Sequence, residues 1–375
     1  MRAALLLAVL AGCHHTTHVD LDPVTDQEAT AFTEKLLAAG APSCTPTAIE
    51  PLLDNDVLQS RLMELPSSAS DLVRETAFKK VAEDHAFAQM VCAWFGQDPK
   101  ASFKLLRVMD GAPIVRKLWK PKAVTVATYF KLIVTKHEGE HEVRLGDMYG
   151  FADGYTVADN LNAFMTAGDV SGEEKAETFV DQIRKAKSLK DQGKPQDALA
   201  VLDEMDATVK QVRAVQMMRI AIAADISQAK YGEELSALVA RNPKDPSLAL
   251  LTIDEALLRK DYGAALHSVD IIDHAIGGDP YQDAVRSSIY FAMAEPEKAL
   301  AAAKRGVAGE PTVARAQLAL LDALVATGDF VGARAQLDVL ANMKQVISAS
   351  ALAPLPHYQA FAQSPQFADW AQQHP

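Results

Sequence analysis

The segment His137-Glu138-Gly139-Glu140-His141 holds the residue types with the most chemistry in the chain. On a helix, two imidazoles four residues apart lie one turn from each other and can share a zinc ion. The Glu after the first then acts as general base on the metal-bound water. Here His137 and His141 would be the ligands and Glu138 the base of a zinc-dependent hydrolase. The neighbouring residues predict something else. Residues 124–129 and Ile133-Val134-Thr135 are β-branched and aromatic, and Gly139 would cost a helix about 1 kcal/mol relative to Ala. The charged cluster therefore reads as the turn between two strands, and nothing in the spacing selects Asp159 or Glu173 as a third ligand. His14, His15 and His18 sit in a polar tether, where ordering them around a metal would cost entropy. Neither a metal nor a cofactor is expected.

A second candidate set is Trp119, Tyr129, Asp147 and Tyr149, as the lining of a pocket in a sheet. Strand alternation places Leu145, Asp147 and Tyr149 on one face. One carboxylate without a nearby His, Lys or second acid does not specify acid–base chemistry, so the aromatics read as core. Gly277-Gly278-Asp279-Pro280 lacks the preceding strand that a dinucleotide loop needs. It reads as a turn in which Asp279 caps a helix opening at Pro280.

These residues belong to a chain of 375 with a formal net charge of -12, from 49 Asp+Glu and 37 Lys+Arg. Nucleic-acid binding needs concentrated positive charge, and no basic run is longer than the one from Lys117 to Lys122, so no nucleic-acid partner is expected. Met1-Arg2 precedes an apolar run over 3–11, too short to span a bilayer but suited to a signal-peptide core. Leu10-Ala11-Gly12-Cys13 resembles the lipobox of bacterial lipoproteins. The resemblance implies that residues 1–12 are removed, that Cys13 is lipidated, and that residues 13–24 tether the body to a membrane. His14, rather than Asp, after the Cys favours the outer membrane facing the periplasm. Outside the cytoplasm, Cys44 and Cys92 either pair or remain as two thiols, Cys92 buried on an apolar helix face.

Residues 25–167 read as an α+β domain with a small antiparallel sheet. Helices are predicted over 25–37, 46–52 and 54–64, then one long helix from Ser70 or Asp71 to about Phe95. Strands are predicted over 103–108, 114–119, 123–135 and 142–151, and Thr156 caps a further helix. Gly168 to Gly172 reads as a joint.

Beyond the joint the chain is Ala- and Leu-rich with an internal period. Ala265, Ala299 and Ala333 are 34 residues apart, and Ala198 lies 67 before Ala265. Leu202, Val269, Ala303 and Leu337 follow four residues after each, and Leu235 serves a unit near Tyr231. This spacing resembles the tetratricopeptide repeat, whose second helix carries a small residue where the hairpin crosses closely. The resemblance implies an all-α solenoid over 173–345 with a helical cap over 346–375. Tyr129-Phe130-Lys131-Leu132, 143–149, Gly154 and Gly277-Gly278-Asp279-Pro280-Tyr281 are similar to a bacterial family, as are Phe361, Phe367 and Trp370. In that family a cystatin-like or NTF2-like α+β domain precedes tetratricopeptide repeats. The expected function is a non-catalytic, membrane-anchored scaffold that binds a protein or peptide along the repeats, with Arg213, Arg219, Arg259, Arg286 and Arg315 as candidate donors. The alternatives are small-molecule binding or enzymatic activity in the α+β domain, and the zinc hydrolase at 137–141.

Overall fold

Thr25 starts the first helix by a reciprocal exchange: its hydroxyl accepts from the Glu28 N–H at 3.3 Å, and its own N–H donates to the Glu28 carboxylate at 2.8 Å. The computed structural model describes residues 19–374 apart from 42, 97, 121–125, 172, 244, 344 and 346. The expected signal peptide, Cys13, His14, His15 and His18 lie outside the described residues. Helix α1 (Asp26–Gly40) buries Ala29, Phe32 and Leu36 on one side. α2 (Pro46–Ile49) leads through a short 3-10 turn to α3 (Asn55–Glu64), which Asp54 caps through the Val57 N–H.

The helix expected from Ser70 to Phe95 is two helices, α4 (Asp71–Glu83) and α5 (Ala86–Phe95). His85 between them adopts φ 53, in the left-handed region. No glycine marks the break. Packing accounts for it, because α5 buries Phe87, Ala88, Val91 and Phe95, whereas α4 buries only Arg74 and Phe78. A disulfide joins Cys44 to Cys92, tying the segment before α2 to α5 with a Cα–Cα distance of 5.2 Å.

Strands β1 (Ser102–Met109), β2 (Ala112–Trp119), β3 (Val126–Thr135), β4 (Arg144–Gly150) and β5 (Tyr155–Thr156) form an open antiparallel sheet in sequence order. Asp110 and Gly111 both have positive φ, as a two-residue hairpin turn requires. Ile133 pairs with Asp147 and Val134 with Leu145, so Gly146 is an extra residue in β4. A side chain at Gly146 would come within 2.7 Å of Val57 Cγ1 on α3. The bulge corrects the expected alternation: Leu145 and Met148 join the core under the helices, with Phe130, Leu132, Phe87 and Val91. Tyr149 instead packs on the opposite side. Thr156 and Asp159 repeat the reciprocal cap and open α6 (Val157–Ser171). α6 passes through Gly168, so the joint expected at 168–172 is helical backbone up to Ser171.

Five hairpins follow: α7 (Glu173–Asp191) with α8 (Pro195–Asp203), α9 (Arg213–Ile226) with α10 (Gln228–Arg241), and α11 (Ala249–Leu258) with α12 (Tyr262–Ala275). Then come α13 (Pro280–Ala292) with α14 (Pro296–Gly309) and α15 (Ala314–Ala326) with α16 (Phe330–Asn342). Ala198, Ala265, Ala299 and Ala333 are wholly buried, as are Leu202, Leu235, Val269 and Ala303, with Leu337 nearly so. These small residues let each second helix lie close to its first. α17 (Ala349–Leu352), α18 (Gln359–Ala362) and α19 (Pro365–Ala371) close the end, placing Tyr358, Phe361, Phe367 and Trp370 over Leu337 and Leu340.

The turn inside the hairpin repeats as strictly as the alanines. Gly193, Lys260, Ala294 and Gly328 end their first helices with φ of 73, 59, 57 and 77. Each N–H donates to the carbonyl three residues back, and the next residue's N–H to the carbonyl five back, as between Ala294 and Phe291 and between Glu295 and Tyr290. Lys260, Ala294 and Gly328 are again 34 apart. Two of the four positions hold a side chain in a conformation that disfavours one. Ala294→Gly and Lys260→Gly should therefore each stabilise the chain by about 0.5–1 kcal/mol, and Gly328→Ala should destabilise it similarly, as read from urea midpoints at unchanged slope.

Candidate functional site

The sheet has two covered faces. One carries α1, α3, α5 and α6; the other lies on the connections that enter the first helices of successive hairpins. Asp245, Asp279 and Val313 stand 34 residues apart at those entries. Ile114, Leu118, Ala127, Tyr129 and Phe151 pack there against Ala249, Ile272, Ile276 and Tyr281. Gly154 meets Ser247, which leaves no room for a side chain.

Within this apolar contact lies a buried polar network. Arg116 on β2 donates through Nη1 to Asp279 Oδ1 at 2.7 Å and through Nη2 to Glu310 Oε1 at 3.1 Å. Lys104 on β1 reaches the same Glu310 oxygen at 2.6 Å. Tyr129 on β3 donates to Asp279 Oδ2 at 2.8 Å and accepts from Gln282 Nε2 at 2.8 Å. Arg107 donates to the carbonyl oxygens of Gly277 and Gly278. Asp279 also accepts from the Tyr281 N–H, which makes it the cap of α13. Burial works against the Arg116 charge, and the carboxylates of Asp279 and Glu310 more than offset it. Burial and the adjacent Asp279 push the Tyr129 phenol well up, so it stays a donor. The charged groups answer one another, while Arg116 Nε and Gln282 Oε1 find no partner among the described residues, and the network ties the sheet to the repeats.

The four residues expected to line one pocket do not converge. Tyr129 is in the network just described. Trp119 lies under the Lys117 ammonium, 5.3 Å from its ring centre. Asp147 is fully buried, accepting from Arg61 Nε at 3.0 Å and from the Met148 and Val157 N–H groups at 2.7 and 3.0 Å. Burial raises its pKa against the pull of Arg61. Its job is to anchor the start of α6. Tyr149 packs edge-on to Phe151.

Residues 137–141 form a turn, so the one-turn overlap of two imidazoles that a helix would give is not formed. His137 Nε2 is 2.8 Å from Asp54 Oδ2, while Glu138 and His141 are exposed. Among the described residues no group of three or more His, Cys, Asp or Glu is placed to hold a metal. Four of the five candidate arginines are spent internally: Arg213 on Asp245, Arg219 on Asp203 and Glu234, Arg259 on Glu255, and Arg286 on Asp270 and Asp273. Arg213, Arg219 and Arg286 link separate elements, while the Arg259 pair lies within α11. Only Arg315 differs: it lies over the Tyr281 ring at 5.8 Å, and its Nε finds no acceptor among the described residues.

Two open surfaces among the described residues bear on function. The first is a groove of about 740 Å³ beside the N-terminal segment, floored by Lys131, Ile133 and Tyr149 and walled by Leu21, Val24 and Arg61. The second is the face of the first helices beyond the sheet. α13 and α15 touch directly as well as through α14, so first helices form the inner layer. Asp254, Ser288 and Asp322 occupy equivalent positions 34 residues apart and are reached by solvent. Exposed Leu258, Ala292 and Ala326 follow one turn later, and exposed Leu318 precedes Asp322. Tyr231 donates to Asp254 at 2.9 Å and Tyr358 to Asp322 at 2.7 Å. Surrounding protein raises both carboxyl pKa values. The row keeps the same 34-residue interval as the buried alanines, which is its one signal in the sequence.

No protein-family model, curated protein or solved structure matches the chain.

One further acid bears on stability. Asp153, in the turn before β5, has no donor among the described residues, and burial pushes its carboxyl up to about 6. A raised acid pKa means that the folded state holds the proton more tightly. The favourable term is complete below about pH 4 and is lost as pH rises through 6. Asp153→Asn should therefore stabilise the protein by about 1–3 kcal/mol at pH 7.5 and by nothing at pH 4, measured as a difference in denaturation midpoints across that range.

Proposed function

We propose that the chain is a non-catalytic scaffold of the bacterial envelope, whose tetratricopeptide-like repeats hold a segment of another protein along the first-helix face. The observation that carries this reading is the row Asp254, Ser288, Asp322 with its exposed apolar neighbours, repeated at the interval of the hairpins and left uncovered by the sheet. A repeat stack can vary such a row without disturbing the contacts that hold it together. The α+β domain acts as a brace, since its sheet is covered on both sides by the chain itself. Attachment is through a lipid on Cys13. Leu21, which bridges His137, lies eight residues on, so the body stays within about 28 Å of the anchor.

A second reading, a small molecule held by the α+β domain, is favoured by the groove at Lys131. Its volume suits a ligand, and Lys131 has no charged partner among the described residues.

Photo-crosslinking in intact cells tests the first reading. A photoreactive residue at Ser288 should give discrete protein adducts that Leu318→Arg abolishes, while the same residue at the outward-facing Val331 should not. Cys13→Ser should lose the adducts together with membrane association. Adducts from Val331 alone, or none from Ser288, would end this reading.

A further inference from the structure

We propose that the occupant of the first-helix face is an extended basic segment, with two cationic side chains about five or six residues apart that pair with Asp254 and Asp322. The proposal rests on the scaffold reading and specifies its partner.

The charge distribution of the repeats supports it. Glu234, Asp245, Glu255, Asp273 and Asp283 are well covered, and each faces an arginine of this chain. Asp254 and Asp322 do not. No Lys or Arg among the described residues lies within ion-pair distance of either, and the one basic side chain near Asp322 among them is His357, at 3.7 Å. Arg315 pulls on Asp254 electrostatically without forming a pair with it. What each acid has instead is a tyrosine hydroxyl, Tyr231 for Asp254 and Tyr358 for Asp322. The phenol fixes one carboxylate oxygen and carries no charge. Asp254 is exposed and Asp322 half-buried, while the surrounding protein raises both carboxyl pKa values, so an added cation gains more there than at a fully solvated acid.

The surroundings suit a basic chain rather than a lone cation. Leu258 and Leu318 are exposed beside the two acids, with Ala326 also on the helix of Asp322 and Ala292 on the helix between, and give the methylene stems of Lys or Arg an apolar bed. Ser288, between the acids, is small enough to let a main chain pass. α13 and α15 pack directly, whereas α11 meets α13 through Ile253, Ala256 and Ile289; with packed helices about 10 Å apart, two repeats separate the carboxylates by roughly 20 Å. That is too far for them to share one metal ion. An extended chain rises about 3.3 Å per residue, which fixes the spacing of its two cations.

Fluorescence anisotropy with the folded chain from residue 19 onward and labelled peptides on a Ser/Ala background tests this directly. A peptide with two Lys separated by five residues should bind. It should lose about tenfold in affinity to Asp254→Asn and to Asp322→Asn, and more to the pair. Asp322→Lys should recover binding to the partner peptide in which one Lys is Glu, and this swap shows that the variant still folds. Equal binding of a peptide with adjacent Lys residues, or of free spermidine, would overturn the paired-cation proposal. So would neutral or acidic peptides whose binding is lost to Leu318→Arg but not to either Asn variant; that outcome leaves the scaffold reading standing. No binding by any peptide, with no crosslinks from Ser288, would remove both.

Discussion

Arg116 sits in the middle of a sheet strand and answers two carboxylates at the entry and the exit of one helical hairpin. Asp279 opens α13 and Glu310 closes α14, so one guanidinium reads the relative position of two consecutive repeat boundaries. Such a group is costly to bury and is stable only when its partners are in place. Breaking the pair by removing one member typically costs about 3–5 kcal/mol, because an uncompensated charge is left behind. The network adds Tyr129, Gln282 and Lys104, so strands β1 to β3 are all registered against the same stretch of the repeat stack. The sheet therefore cannot slide along the hairpins, and the entries of their first helices are unavailable to a partner. What remains open is the later part of those helices, where Asp254, Ser288 and Asp322 stand in line.

That line is regular because the hairpins beneath it are regular. Buried alanines allow close crossing, and a left-handed residue at a fixed place closes each turn with the same two hydrogen bonds. The turn is kept even where it forces Lys260 and Ala294 into a disfavoured conformation, so the geometry outranks the local preference of the residue. Arginine–carboxylate pairs then fix neighbouring helices, as with Arg286 between Asp270 and Asp273. The two acids on the inner row are held differently, each by a tyrosine hydroxyl and by no Lys or Arg among the described residues.

Local signals in the sequence led to much of this. Thr156 caps as its type suggests, Thr25 proves to be the cap of the helix it was expected to begin, and the alanine interval marked the second helices. The β-branched runs around 137–141 placed a turn where the letters alone suggested a metal site. Other features had no local signature. His85 breaks a helix without glycine because the apolar face of α5 must reach the sheet. Gly146 inserts a bulge because α3 presses on that strand, and this moves Leu145 and Tyr149 to opposite faces. Arg116 and Asp279 find each other across 163 residues, and nothing near either announces it. The candidate arginines were sound as residue types for recognition, but the chain supplies their acids itself.

The coupling between sheet and repeats is the central claim, and amide hydrogen exchange tests it most directly. In Arg116→Ala, β2 and β3 and the first turns of α13 and α15 should lose protection together, while α8 to α10 and the capping helices around Trp370 keep theirs. Faster exchange confined to β2, with the starts of α13 and α15 unchanged, would show that the two domains are not held by this contact.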